Sequence, residues 1–384
     1  MKHITKQPPG AAPAKARYIM IGGFLGAGKT TAVGKLAQYL ADQGHQVGLI
    51  TNDQGRNLVD TAMLRAQGFA TEEIPGGCFC CRFNSLLEAA ARLTAASRPD
   101  IFIAEPVGSC TDLAATVTYP LRRLYGDSFM VAPVSVLVDP VRAARVMGLE
   151  KGGNFSDKVL YIYRKQIEEA DLVVISKSDL LDEPRLQALR QAIAAEFPAK
   201  EILAVSARTG ANLVPWFARL TSMEQTTGQA MPVDYQVYAE GEALLGWLNA
   251  TVQLAAQKPF DSDGFLKRFA REIQQRLQAE QAEVAQLKMT LSPASCLLGE
   301  IAAVNLVRND FVPELSLTLD EPVQAGQLII NLRAEAAPDV LGKVVRAALA
   351  AAAQTVPTLA ATLDHLEHFR PGKPSPTHRF QTAA

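Results

Sequence analysis

Short, unbroken apolar runs recur along the first half of the chain, at residues 18–21, 47–51, 101–104, 134–138, 172–175 and 202–205, and stretches with helical spacing separate them. Runs of this length without polar alternation suit strands buried on both faces. Helices between them would supply the cover, so the pattern predicts an α/β domain with a mostly parallel sheet over residues 17–220. Each run ends where polar residues begin, which is where open α/β sheets carry their ligands. Residues 221–233, polar with Gly228 and Pro232, read as a linker. Beyond it the rhythm changes. Strand-like segments near 244–254, 285–291, 301–307, 315–319 and 328–332, a long helix over about 263–282 and a helix from Pro338 predict a smaller α+β domain over 234–370, with an antiparallel sheet and two helices. Residues 1–16, with Pro8, Pro9 and Pro13, read as a disordered tail. Residues 371–384 read as a second tail, basic and proline-rich, that is either solvated or docks in a partner's groove.

Composition narrows the class without changing the architecture. With 384 residues, 48% hydrophobic and 20% charged, the chain has material for two or three globular domains of a soluble protein. A net charge of −1 provides no basic field, so no nucleic-acid partner is expected, and the absence of an apolar leader or span predicts no membrane association. Five cysteines, three of them crowded together, do not form a disulfide framework, and a reducing cytoplasm is the expected compartment.

The chemistry lies at the predicted strand ends. Gly23-Phe24-Leu25-Gly26-Ala27-Gly28-Lys29-Thr30 fits G-x-x-x-x-G-K-[ST], between a predicted strand and a helix beginning at Thr31. In such a loop the backbone around Gly23, Gly26, Ala27, Gly28 and Thr31 cradles phosphate at a helix N-terminus, Lys29 reaches the β- and γ-phosphates, and Thr30 holds Mg²⁺. After the third run comes Glu105-Pro106-Val107-Gly108, where Glu105 would organise Mg²⁺ through its water shell and the Gly108 N–H would face a γ-phosphate. Ser176-Lys177-Ser178-Asp179 is close to the Asn-Lys-x-Asp that reads guanine. Asp179 would accept from the base, the Lys177 stem would lie along its plane, and the loop at Ser206 and Ala207 would back it. Serine in place of asparagine leaves guanine preferred and adenine open. Lys29, Thr30, Glu105 and Gly108 are the expected catalytic set; with no general base in evidence, positioning and Mg²⁺ predict slow GTP hydrolysis to GDP and phosphate.

Between these elements lies Gly76-Gly77-Cys78-Phe79-Cys80-Cys81. Thiolates of Cys78, Cys80 and Cys81 on a glycine turn would converge at about 2.3 Å from Zn²⁺ and leave a fourth position for Asp53, water or a client's ligand. Soft thiolates suit Zn²⁺ or Cu⁺, and raw affinity favours Zn²⁺ over Co²⁺. Cys81 is the least certain ligand, because neighbouring side chains in extended backbone point to opposite faces. Buried thiols that pack a loop, or a redox dithiol, are the alternatives. Cys110 and Cys296, each in apolar surroundings, read as packing residues. Asp53-Gln54-Gly55 falls where a nucleotide-sensing loop belongs, so loss of a γ-phosphate would re-aim a metal ligand and release the metal.

Taken in order, the P-loop, the Gly-Gly-Cys-Phe-Cys-Cys turn, Glu105-x-x-Gly108 and Ser176-Lys-x-Asp179 resemble the CobW-like family of P-loop GTPases over roughly residues 18–220. The resemblance implies a GTPase that binds zinc or cobalt and inserts it into a client metalloprotein, with the C-terminal domain meeting that client. Two features depart from the family. Asn52-Asp53-Gln54-Gly55-Arg56 stands where Asn-Glu-Phe-Gly-Glu is typical, and His3, His45, His365, His368 and His378 form no histidine tract. Two other classes stay open: a non-metal GTPase chaperone for a corrinoid- or metal-dependent enzyme, and a P-loop kinase or ATPase. The sequence also leaves a homodimer open.

Overall fold

A computed structural model describes residues 15–55, 59–153, 155–225, 228–294 and 300–383; the readings of Arg56 and Cys296 fall outside them. The first part alternates strands β1 (Ala16–Gly23), β2 (Val47–Asn52), β3 (Thr71–Ile74), β4 (Ile101–Glu105), β5 (Phe129–Val131), β6 (Ser135–Val138), β7 (Leu172–Ile175) and β8 (Glu201–Ala204) with helices. The helices are α1 (Lys29–Asp42), α2 (Val59–Ala66), α3 (Phe83–Ser97), α4 (Tyr119–Tyr125), α5 (Pro140–Val146), α6 (Asp157–Glu169), α7 (Glu183–Glu196) and α8 (Leu213–Ser222). The strands form one parallel sheet of eight, in the order β3-β2-β4-β1-β6-β7-β8, with β5 also beside β1. Apolar clusters cover both faces, one holding Phe24, Phe79, Phe83 and Phe102, the other Leu36, Leu40, Trp216 and Phe217. Full burial of each such side chain stabilises the fold by about 1.5–3 kcal/mol.

The second part comprises α9 (Tyr235–Leu244), β9 (Leu245–Phe260), α10 (Ser262–Ala279), β10 (Glu283–Pro293), β11 (Ala302–Leu306), β12 (Glu314–Leu317), β13 (Val323–Glu335), α11 (Pro338–Gln354) and β14 (Ala360–Phe369). Its antiparallel sheet runs β12-β11-β10-β13-β9-β14. One face packs on α10 and α11 through residues such as Leu287, Met289, Ile330, Leu332, Phe269 and Val345. The opposite face is polar and would ordinarily be wet. Here Asn249, Asn331 and Arg333 on it are buried, because it docks on the first domain: the Val59 N–H donates to Asn331 Oδ1 at 3.0 Å.

Two expectations need correction. The segment read as a linker is bonded to the first domain, with the Gln225 N–H on Val131 O at 2.9 Å, and α9 beyond it buries Tyr238 in the first domain's core. The C-terminal segment is no solvated tail. The Thr377 N–H donates to Cys80 O at 2.8 Å, the Phe380 N–H to Ala115 O at 2.9 Å, and Arg379 Nε to Asp112 Oδ2 at 2.7 Å. A single π-turn at Ala114–Thr118 breaks the ordinary helical ladder beside the Ala115 carbonyl that accepts from the segment. Among the described residues no helix is long and apolar enough to cross a membrane.

Candidate functional site

The P-loop leaves β1 through backbone that only glycine adopts without strain: Gly23 has φ +129°, and a Cβ there would stand 2.3 Å from Leu137 O. Gly28, at φ 89°, caps α1, whose first residues are Lys29 and Thr30. Both are buried. The lysine ammonium reaches back to Phe24 O at 3.5 Å, and burial pulls its pKa below the ordinary value. Thr30 Oγ1 lies 2.9 Å from Glu105 Oε1 and 2.7 Å from Asp60 Oδ1, an acidic residue of α2. Burial, and then the charge of Asp60, push the Glu105 carboxyl up to about 7. The other oxygen of Glu105, Oε2, is buried without a partner. An orphaned carboxylate oxygen beside a hydroxyl and a second carboxylate is a hard, all-oxygen set, and it fits Mg²⁺.

A cavity of about 360 Å³ opens from this point between the two sheets. Gly26, Gly28, Lys29, Thr30, Thr31, Glu105, Ser176, Lys177, Asp179 and Ala207 line it, so the structure gathers most of the expected nucleotide residues around one space. Gly23, Ala27, Gly108 and Ser206 do not line it. The Ala27 N–H is turned onto Phe24 O at 3.1 Å, and Ser206 Oγ accepts the Thr209 N–H at 3.1 Å. Gly108 touches the P-loop closely enough that a Cβ there would stand 3.0 Å from Leu25 N. Lys177 Nζ bonds Gly26 O at 2.7 Å and Asp139 Oδ2 at 2.9 Å, tying the Ser176-Lys177-Ser178-Asp179 loop to the P-loop, while Asp179 faces Arg208 at 3.7 Å. Burial opposes the Asp139 charge, yet Lys177 and Arg308 hold its carboxyl well below the usual range.

The cysteine turn is stapled from β2. Asn52 Nδ2 donates to Ile74 O at 2.8 Å and to Gly77 O at 2.6 Å. A tight turn follows, with the Cys81 and Arg82 N–H groups both on Cys78 O, at 3.1 and 2.9 Å. This turn overrides the opposite-face expectation for Cys81. The sulfurs of Cys78, Cys80 and Cys81 lie mutually within 4.8 Å, with separations of 2.7 Å (78–80), 3.3 Å (78–81) and 3.7 Å (80–81). Thiolates about 2.3 Å from a tetrahedral zinc ion stand about 3.8 Å apart, so a bound ion would spread the Cys78–Cys80 pair by about 1 Å and the other two pairs less. Hydrogen bonds from Cys110, Cys80 and Cys81 draw the Cys78 thiol well below its ordinary pKa, whereas Cys80 and Cys81 are raised, the latter to about 11. Cys110 is buried as expected of a packing residue, and it influences the Cys78 thiol without being one of the three clustered sulfurs.

Asp53 is the exception among the proposed metal ligands. Both of its oxygens accept from Arg333 Nη2, at 3.0 and 3.1 Å, because the second domain brings a buried guanidinium to the end of β2. The sequence reading also missed Asp60, Gln286 and Lys288 at the phosphate site, and Tyr238 and Glu242 behind the thiols. Ser109 Oγ donates to Glu242 Oε1 at 2.6 Å. None of these carries a motif; each is placed by packing between distant segments.

Residues 17–204 match the family described as CobW/HypB/UreG, nucleotide-binding domain. The zinc chaperone YeiR of Escherichia coli (strain K12) is 29% identical over 178 residues, 46% of this chain and 50% of YeiR. The zinc chaperone CobW of Sinorhizobium sp is 29% identical over 219 residues, 52% of this chain and 61% of that protein. The chain thus spans about half the length of YeiR and three-fifths of that CobW. Among solved structures, the Zn(II)-bound YjiA GTPase from E. coli aligns with 88% of this chain and 98% of its own at 15% identity, with a TM-score of 0.37.

Proposed function

From the premise that residues 17–204 belong to the CobW/HypB/UreG family of nucleotide-binding domains, we propose that this chain is a GTP-hydrolysing metallochaperone of the reducing cytoplasm. It carries zinc at Cys78, Cys80 and Cys81 and passes it to a client metalloprotein under nucleotide control. One observation carries the reading: three clustered sulfurs on a turn held by Asn52, at the end of the strand whose next residue, Asp53, begins the segment leading to the phosphate site.

In this reading each residue has a role. P-loop N–H groups and Lys29 bind and orient the phosphates, and Asp179 with Lys177 selects the base, for which guanine is the better fit. Thr30, Glu105 and Asp60 are the residues that would hold Mg²⁺, which when bound neutralises phosphate charge. The thiol cluster takes zinc as cargo and leaves one tetrahedral position for an exchanging ligand, the arrangement of a transfer site. A second reading, a GTPase chaperone for a corrinoid- or metal-dependent enzyme with a structural cysteine turn, is favoured by the engagement of Asp53 by Arg333, beside the missing histidine tract and Arg56 in the sequence.

Titrating reduced, metal-free protein anaerobically with Zn²⁺ against a competing chelator, with and without Mg²⁺ and a non-hydrolysable GTP analogue, tests the proposal. We expect one tight equivalent whose affinity shifts about tenfold with nucleotide, a coupling of about 1.4 kcal/mol. Zinc binding that ignores the nucleotide would reduce the ion to a structural one, and no binding would favour the second reading.

A further inference from the structure

Strand β10 presents two side chains that the nucleotide reading leaves without a role. Gln286 and Lys288 are two residues apart and share a face of the strand. An irregularity in the β10–β13 pairing between Val284 and Gln286 precedes them, and from there the face points at the P-loop. Gln286 Oε1 accepts the Gly26 N–H at 3.1 Å. That N–H lies within the loop whose amides bind phosphate oxygens in the reading above, so a side-chain carbonyl oxygen stands where a phosphate oxygen belongs. Lys288 Nζ donates to Thr30 Oγ1 at 2.8 Å and to Asp60 Oδ1. Those are two of the three groups that make up the hard oxygen set, and the third, Glu105, adds its charge to the same ammonium. The Lys288 side chain is only 14% exposed, so this contact is no loose surface pair. The approach is tight at the loop itself: a Cβ at Gly26 would stand 3.0 Å from Ala285 O and 3.0 Å from Val307 Cβ.

One strand therefore supplies an acceptor in the place of a phosphate oxygen and a cation in the place of a magnesium ion. We propose that β10 is an internal plug of the nucleotide site, so that a Mg²⁺-bound nucleoside triphosphate and the docked C-terminal sheet compete for the same P-loop groups. The Thr30 hydroxyl oxygen and the Asp60 carboxylate cannot serve an ammonium and a divalent ion together, since the two cations would lie within a few ångströms of each other. Mg²⁺-nucleotide must draw Gln286 and Lys288 out, and with them the sheet face that carries Asn331 and Arg333. The guanine-reading end of the cavity, at Lys177, Asp179 and Ala207, is lined on its far side by Asn305, Glu314 and Ser316 of the same sheet, so withdrawal widens both ends together.

The inference rests on the nucleotide reading, and the test separates the two. Affinity for a fluorescent, non-hydrolysable GTP analogue is measured with Mg²⁺ in the unaltered protein, in Lys288→Met, which keeps the length of the side chain without its charge, and in Gln286→Ala. We expect Lys288→Met to bind the analogue at least tenfold tighter and Gln286→Ala severalfold tighter. Unaltered or weaker binding in Lys288→Met overturns the plug, weaker binding making Lys288 a ligand of the nucleotide. Binding by none of the three proteins overturns the nucleotide reading and the plug with it. Hydrogen exchange on the unaltered protein supplies a readout independent of any variant. The peptide carrying the Val59 N–H, which bonds Asn331 Oδ1 across the docked face, loses protection when the Mg²⁺-bound analogue is added, and retained protection despite demonstrated binding overturns the proposal.

Discussion

Single residues here are set by what surrounds them more than by their type. Cys81 joins Cys78 and Cys80 because the backbone turns at Cys78 O, while Asp53, an acidic residue at the end of β2, is claimed by Arg333. Glu169 makes the same point for charge. At the end of α6 its carboxylate accepts from the Ala114 N–H at 3.1 Å and from Thr111 Oγ1 at 3.3 Å, but burial, and then the charge of Asp112, raise its pKa from the ordinary 4.5 to about 8. The folded state thus holds a proton that the unfolded state has lost between those two values. Stability from this group is full below about pH 4.5, falls as pH rises, and is lost above about pH 8, by a few kcal/mol in all. Urea unfolding of Glu169→Gln beside the unaltered protein checks this. We expect equal midpoints near pH 5 and a higher midpoint for the variant near pH 8.5; parallel curves across the range would show that Glu169 is ionised in the fold.

At the scale of elements, the C-terminal segment decides how exposed the cysteine turn is. The Ser375 N–H donates to Cys81 Sγ at 3.2 Å, Thr377 bonds the carbonyls of Cys80 and Cys81, and the His378 ring packs edge-on against Phe83, 5.1 Å between centroids. Ending the chain after Arg370 should raise the rate of Cys81 alkylation by about tenfold and lower the melting temperature by several degrees. Nucleotide affinity, read at a cavity these residues do not line, should stay unchanged. An unaltered alkylation rate would mean that the segment does not shield the thiol. Nothing in the composition of this segment announced its docking, since proline and basic residues suit a solvated end equally well. Six strands of the first sheet, β1, β2, β4, β6, β7 and β8, were legible as unbroken apolar runs. Thr71–Ile74, with two glutamates at the sheet edge, and the three-residue Phe129–Val131 were not, and β14, alternating polar residues along the other sheet's edge, was missed for the same reason. The P-loop was readable because its spacing is local. Lys288 was not, because a lysine on the polar face of a strand looks solvated until a partner 258 residues away in the chain covers it.

For the whole molecule, two of the contacts by which the second sheet holds the first domain are Lys288 on Thr30 and Arg333 on Asp53, and the second is continuous with the cysteine turn through Asn52 and its bond to Gly77 O. The Arg333 guanidinium is itself fixed, 4.0 Å over the Trp247 ring and bonded to Leu248 O at 2.8 Å, so Asp53 stays engaged while the sheet is docked. If Mg²⁺-nucleotide lifts the sheet, Asp53 is released beside the turn, and a carboxylate becomes available for the fourth zinc position. Nucleotide would then tighten zinc, and zinc must tighten nucleotide by the same factor. Replacing Arg333 with Met removes the clamp without waiting for nucleotide. We expect nucleotide-free zinc affinity in that variant to rise toward the nucleotide-bound value, so that a tenfold coupling collapses to less than about threefold when measured from either ligand. Asp53→Asn should abolish the coupling from the other side, by lowering the nucleotide-bound affinity, and the double variant should resemble Asp53→Asn because the two residues act as one contact. Full coupling retained in Arg333→Met would show that the nucleotide signal reaches the thiols by a route that bypasses this pair.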